Sequence, residues 1–194
     1  AFGVPISERH ELFFGLNPEV NKIVLGTAAP TAYNDSLKSY NTSSIKTYEA
    51  SVGWSYDTRD STYLPTRGTF QRALIAGSFF GTAHYVRGTY QFQKFFPVSK
   101  NVTFALNSQF DYGKGLSGQT YPFYRNLYAG GLGSVRGFDT STIGPTAPAT
   151  TTGGSVSYLG GSKRAFANLE LQFPFPGMTK NRGVRLFVFA DAGG

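Results

Sequence analysis

The sequence contains no cysteine, one methionine, one tryptophan and two histidines. Without cysteine there is no disulfide, no thiolate metal site and no cysteine nucleophile, and the redox compartment stays undecided. His10 and His84 stand alone, neither with a second histidine or a carboxylate at metal-ligand spacing, so both read as exposed or interfacial and no metal is expected. Charge is scarce as well: Asp, Glu, Lys and Arg make up 15% of the chain, against about 25% in an ordinary soluble domain. No stretch approaches the roughly 18 consecutive apolar residues of a spanning helix, which excludes a helical membrane protein. The opening AFGVPISERH lacks the basic start and apolar core of a signal peptide, so any signal is expected to have been removed or to lie outside this chain.

What the chain has is glycine, 24 of 194 residues, together with 16% aromatics. That mixture argues against a helical bundle and against a disordered chain, and the length suits one domain. The 18 basic residues outnumber the 11 acidic ones. They are scattered singly from Arg9 to Arg185 rather than clustered beside stacking aromatics, so nucleic acid is not an expected partner.

The dominant pattern is two-residue alternation in segments of about ten, the mark of strands with two unlike faces. Over Thr47 to Asp57, Tyr48, Ala50, Val52, Trp54 and Tyr56 oppose Thr47, Glu49, Ser51, Gly53, Ser55 and Asp57. Between Asn101 and Gly113, Val102, Phe104, Leu106, Phe110 and Tyr112 oppose Thr103, Asn107, Gln109 and Asp111. Tyr85 to Lys94 shares the design. Ala165 to Phe173 places Glu170 on its polar side, and Val184 to Ala192 combines Asp191 with Arg185, Phe187 and Phe189 on one face. His10 to Asn17 is a weaker strand, and Thr69 to Phe80 has mixed parity that leaves its faces unassigned.

Such alternation fits a sandwich or a membrane barrel with one face in lipid and the other in a polar lumen. Tyr and Trp toward the strand ends (Tyr48, Trp54, Tyr56, Tyr112) favour the barrel, because amphipathic rings mark membrane interfaces. Connection lengths agree. The Phe95 to Lys100 turn and the Pro174 to Gly183 link are short or moderate, whereas Pro18 to Ile45 and Lys114 to Arg164 are long, as expected if the long loops share one rim. The predicted fold is therefore all-β: part of an antiparallel transmembrane β-barrel of about seven strands, solvated by membrane lipids.

The connection from Lys114 to Arg164 is too long to be idle in a compact domain. Residues 146–161, rich in Thr, Gly, Ala and Ser, are expected to be mobile. Residues 121–145, YPFYRNLYAGGLGSVRGFDTSTIGP, hold aromatics, a lone Arg136 and several glycines. Gly130, Gly131 and Gly133 invite comparison with phosphate-binding loops, but no strand-loop-helix context and no GK[ST] follows, so nucleotide binding is discarded. There is no GxSxG elbow and no paired histidine, and an enzyme is not expected.

This segment resembles the sixth extracellular loop of the BamA family of outer-membrane protein assembly factors, in the superfamily of barrel insertases and transporters that carry POTRA repeats. Val135, Arg136, Gly137 and Phe138 match the VRGF signature of that family. GWSYDTRDSTYLPTRGT (Gly53 to Thr69), the stretch from Asn168 to Pro176 and RLFVFADAGG (Arg185 to Gly194) look like family strands in family order. The resemblance covers nearly the whole chain, weakly before Ile45. It implies that residues 1–194 are part of one C-terminal barrel domain of the bacterial surface-antigen type, without the POTRA repeats and the terminal strands.

It also implies a latch. Glu170 and Asp191 share the lumen side by parity, and a planar guanidinium can bond two carboxylates at once. If the loop folds back into the barrel, as in the family, Arg136 is their natural partner. Gly137 and the Gly130-Gly131 pair would allow tight turns, and Phe138 would pack beside Phe187 or Phe189. The implied function is to fold and insert β-barrel proteins into the outer membrane of a Gram-negative bacterium without cofactor or ATP. Implied partners are outer-membrane lipids, unfolded outer-membrane proteins and, through the POTRA repeats, accessory lipoproteins. Two alternatives stay open: a two-partner-secretion type polypeptide transporter, which shares the loop core, and a passive porin. Ile143 to Pro145 and Phe189 to Gly193 favour the assembly factor.

Overall fold

Ten strands follow the alternation along the chain in a computed structural model that describes residues 2–26, 29–38, 40–148, 156–175 and 184–194. They are β1 (Phe2–Ser7), β2 (His10–Lys22), β3 (Ser44–Asp57), β4 (Gly68–Gly81), β5 (Tyr85–Pro97), β6 (Thr103–Gly115), β7 (Thr146–Ala147), β8 (Ser157–Tyr158), β9 (Lys163–Pro174) and β10 (Arg185–Gly193). Eight form one sheet in the order β1-β2-β3-β4-β5-β6-β9-β10, every pairing antiparallel, and β7 with β8 makes a separate two-residue hairpin. The expected partial barrel of about seven strands is present as an eight-stranded sheet. β1 is the additional strand: it is short, carries Pro5 and stands at the edge of the described sheet beside β2, with an irregularity between Pro5 and Ser7; an edge strand tolerates the missing N–H of proline.

The long connection expected from Pro18 is shorter than its sequence suggests. β2 runs on to Lys22, so the loop occupies residues 23–43 and contains a helix, α1 (Thr31–Lys38). Pro18 is accommodated because it faces Tyr48, whose own N–H turns the other way to Ser78 Oγ at 3.4 Å. The pair is therefore one that exchanges no backbone bonds, and the donor that proline lacks would have pointed away from β3.

Strand direction alternates, so the links at 8–9, 58–67, 98–102 and 175–184 lie at one rim and those at 23–43, 82–84 and 116–162 at the other. The two longest connections share a rim. Residues 149–155, within the stretch expected to be mobile, and residues 176–183, within the Pro174 to Gly183 link, lie outside the described residues.

Burial along the strands is inverted relative to a water-soluble sheet. Thr47 and Ser78 are 0% exposed and Asp111 3%, whereas Ile75 is 60% and Leu16 84% exposed. A lipid-facing exterior around a polar interior gives this order, and a sandwich gives the opposite. No helix among the described residues is long and apolar enough to cross a membrane; the strands do the crossing.

Register resolves the faces of β4. Ile75 pairs with Val52 and Ala73 with Trp54, so both point to lipid, while Phe70, Arg72, Leu74, Ala76 and Ser78 face inward. Its parity looked mixed because the lumen accepts rings with arginines over them. Arg59 covers Phe70 at 4.5 Å and Arg72 covers Phe13 at 4.8 Å, and a register shift opposite Thr47 and Glu49 breaks the period near Phe79.

Candidate functional site

The connection between β6 and β9 is a folded structure rather than a slack chain. It opens with a short 3-10 helix at Phe123–Arg125. Two isolated bridges then tie Leu127 to Gly161 and Ala129 to Ile143. Beyond them the backbone doubles back through Gly130 and Gly131, at φ +106° and +89°. A Cβ on Gly130 would stand 2.5 Å from the Asp139 carbonyl, so no other residue fits that turn without strain. The turn is closed by Ser134 N to Gly131 O and Gly131 N to Val135 O, both 3.1 Å, and by Gly130 N to Ser134 Oγ at 2.8 Å. Val135 and Ser134 are buried.

This scaffold delivers Arg136 to the lumen wall. Its backbone N–H donates to Asp191 Oδ2 at 2.8 Å, Nε donates to the same oxygen at 2.7 Å, and Nη2 donates to Asp191 Oδ1 at 2.6 Å. Nη1 donates to Glu170 Oε1 at 2.5 Å. The guanidinium lies 3.9 Å from the Phe189 ring centre and 5.6 Å from that of Phe187, so the same group is both forked and stacked. The Asp191 side chain is 2% exposed and that of Glu170 24%. The hydrogen bonds to Asp191, working against partial burial, raise the pKa of Arg136 above its already high ordinary value, which keeps it cationic.

β9 and β10 make this possible by pairing Asp191 with Asn168 and Phe189 with Glu170. The chosen lumen residues therefore converge on Arg136. Phe138 does not join them. It is 57% exposed, and the faces of Phe187 and Phe189 are taken by the guanidinium instead. Gly137, at φ +89°, turns the chain away immediately after the clamp, which carries Phe138 outward.

Other tethers were not singled out in the sequence. Asn168 Nδ2 donates to the Ser134 carbonyl at 2.6 Å, two residues before Arg136. Arg164 bonds Asp111 Oδ2 at 2.9 Å through Nε and the Tyr128 carbonyl at 3.0 Å through Nη1. Arg125 pairs with Glu19 of β2. Asn168 and Asp111 shared the polar parity face that drew attention to Glu170, and that face was the available signal. Between loop and wall lies a cavity of about 380 Å³ whose lining includes Arg59, Tyr63, Gln93, Asn107, Arg136 and Glu170.

A second arginine cluster lies farther along the wall, on β3 and β5. Arg87 of β5 forks onto Glu49 of β3, with Nε to Oε2 at 2.9 Å and Nη2 to Oε1 at 2.8 Å, and Tyr85 Oη adds a bond to Oε2 at 2.8 Å.

The whole chain, residues 1–194, matches the Omp85 superfamily domain. It is 39% identical over 98% of its length to the outer membrane protein assembly factor BamA of Neisseria meningitidis serogroup B, covering 25% of that protein. It is 30% identical to the BamA of Nitratidesulfovibrio vulgaris over 74% of its length, covering 18% of that protein. A SAM50-like protein of Schizosaccharomyces pombe is 29% identical over 74% of the chain, which spans 30% of that relative. The crystal structure of BamA from Haemophilus ducreyi lacking POTRA domains 1–3 superposes with a TM-score of 0.85 at 24% identity, over 98% of this chain and 40% of that one. The chain spans under a third of the curated relatives it matches. An inverted eight-stranded sheet, a loop clamped inside it and a match along every residue lead to one assignment: the chain belongs to the Omp85 superfamily.

Proposed function

We propose that this chain is part of the outer-membrane barrel of a protein assembly factor, which folds and inserts β-barrel proteins in a Gram-negative bacterium. The observation that carries the reading is the Arg136 clamp. A long loop returned into the lumen and fastened to Asp191 and Glu170 supports a barrel whose interior is organised around that loop. The identity to the Neisseria meningitidis assembly factor, spread over 98% of the chain, supports the same reading.

The residues work by holding shape. Val135 and Ser134 anchor the turn, Gly130, Gly131 and Gly137 give it the conformations it needs, and Arg136 is the bolt, with Asp191, Glu170 and Phe189 as its seat. Because β9 and β10 are already held in register by their ladder, the guanidinium that bonds both of them fixes the loop to a rigid part of the wall. No step requires a cofactor, nucleotide or nucleophile. Lipids solvate the apolar face, unfolded outer-membrane proteins are the clients, and accessory lipoproteins engage POTRA repeats of the complete protein.

The test is reconstitution of the complete protein in liposomes of outer-membrane lipids, offered an unfolded barrel protein. Faster acquisition of heat-modifiable, protease-protected client is expected, and Arg136→Ala is expected to lose most of that gain. Export of a polypeptide to the far side, with no client inserted, would point to the secretion transporter instead.

A further inference from the structure

The clamp is reached from the opposite rim by a chain of side-chain hydrogen bonds. The link between β3 and β4, residues 58–67, is stiffened from within. Asp60 accepts from Thr66 N at 2.8 Å, Thr66 Oγ1 at 2.5 Å and Arg67 N at 3.3 Å. Gly68, at φ +109°, approaches so closely that a Cβ would stand 2.3 Å from the Thr58 carbonyl. The rigid turn presents the Leu64 and Pro65 carbonyls to Arg185, the first residue of β10, whose Nη2 and Nη1 donate to them at 3.1 Å each. In sheet order β4 and β10 are separated by β5, β6 and β9, so these bonds cross the lumen rather than follow the wall.

From Arg185 the line continues inward. Nη1 also donates to Gln172 Oε1 at 3.1 Å, Gln172 Nε2 donates to Glu170 Oε2 at 2.8 Å, and the other oxygen of Glu170 receives Arg136. An arginine only donates and a carboxylate only accepts, and a primary amide, with one acceptor end and one donor end, can join them in this order. A second line leaves the same turn. Arg59 Nη1 donates to Gln93 Oε1 at 3.2 Å, Gln93 Nε2 to Asn107 Oδ1 at 3.2 Å, Asn107 Nδ2 to Asn168 Oδ1 at 2.9 Å and Asn168 Nδ2 to the Ser134 carbonyl at 2.6 Å. Both lines begin at residues 58–67 and end on the clamped loop, with the cavity between them.

We propose that Arg185 is a positioning residue that couples the 58–67 turn to the Arg136 clamp through Gln172 and Glu170, so that turn and loop close the two ends of one cavity and loosen together. Displacing the turn frees Arg185, the Gln172 amide loses the partner that orients it, and Glu170 is no longer held toward Arg136. The donors from Gln172 and Arg136 converge on Glu170, so the coupling is geometric: the bond from Gln172 to Oε2 fixes the carboxylate's orientation, and that orientation decides whether Oε1 faces Arg136. The inference rests on the latch reading above, and the experiment separates the two.

The absence of cysteine allows a single reporter thiol. Ser134 is buried in the docked loop, and its Oγ receives the Gly130 N–H, so Ser134→Cys keeps nearly the same size and an acceptor at that place. In the complete protein in proteoliposomes, the labelling rate of that thiol by an impermeant maleimide reports how far the loop is from the wall. Arg136→Ala should raise the rate strongly; an unchanged rate overturns the latch itself. With the latch upheld, Arg185→Ala and Gln172→Leu should each raise the rate roughly fivefold, the effect of losing one net hydrogen bond, and Arg185→Lys should fall between. Wild-type rates in both Arg185→Ala and Gln172→Leu, with the barrel still heat-modifiable, overturn the coupling. If Arg185→Ala does not assemble, Gln172→Leu decides alone, because it leaves the bonds from Arg185 to the turn in place.

Discussion

The two forked arginines of the lumen use the same chemistry to different ends. Arg87 and Glu49 both belong to strands, separated only by β4, so their pair ties together parts that the backbone ladder already holds. Arg136 stands on a loop, and its partners on β9 and β10 meet it only because the loop has come home. Each buries one carboxylate, Glu49 at 7% and Asp191 at 2% side-chain exposure. The difference lies in what else would hold the two ends together if the pair were cut. A fork within a sheet adds stiffness, and a fork between a loop and a sheet sets a state.

That contrast can be broken by cutting each pair and asking whether the loop leaves the wall. The largest effect is expected from Arg136→Ala, which strands the nearly buried Asp191. Loss of one partner of a buried pair costs ~3 to 5 kcal/mol, and hydration of the lumen should bring this case to the lower end. A drop in the melting transition of the complete protein, with proteolysis at residues 139–148, would register it. Glu170→Gln should cost less, about 1 to 2 kcal/mol, because it removes one charge-assisted bond of a more exposed carboxylate. A double-mutant cycle with Arg136→Ala should return a non-additive remainder, and strict additivity would refute the contact.

Phe189→Leu comes next, at about 0.5 to 1 kcal/mol for a lost ring face, read as a small rise in loop cleavage with the barrel intact. The smallest effect on the loop belongs to Arg87→Ala. It should lower the melting temperature by removing the fork onto Glu49 while leaving loop cleavage at its wild-type rate. Cleavage that rose as much as in Arg136→Ala would erase the distinction between the two sites.

How much of this was visible in the sequence follows from the same physics. Strand faces were legible because a barrel wall has two solvents, and Val52 against Glu49 or Leu171 against Glu170 records the choice at every second residue. Where the record blurred, as in β4, the cause was an interior that accepts Phe70 beneath Arg59 and Phe13 beneath Arg72, so hydrophobicity no longer marked the outside. The clamp residues could be chosen because parity put Glu170 and Asp191 on one side and the loop motif supplied the arginine. The direction of Phe138 could not be read, since it depends on the left-handed turn at Gly137 immediately before it. Nor could the line through Arg185 and Gln172, which needs a carbonyl from Pro65, far away in sequence and free of any side-chain signature.

The loop is fastened in series: Arg125 to Glu19, Arg164 to the Tyr128 carbonyl, and Arg136 to its two carboxylates. Each fastening shortens the free span available to the next, and the cost of closing a span grows with its length. With its neighbours seated, a released Arg136 therefore meets Asp191 at an effective concentration of order millimolar or above rather than as a free group in water. A clamp that opens for a moment is reseated while its neighbours hold the loop near the wall, whereas permanent loss of Arg136 leaves the segment around it to the neutral bond from Asn168 to the Ser134 carbonyl. Docking is accordingly cooperative, and a loop built in this way is quiet for long intervals and then moves as a unit.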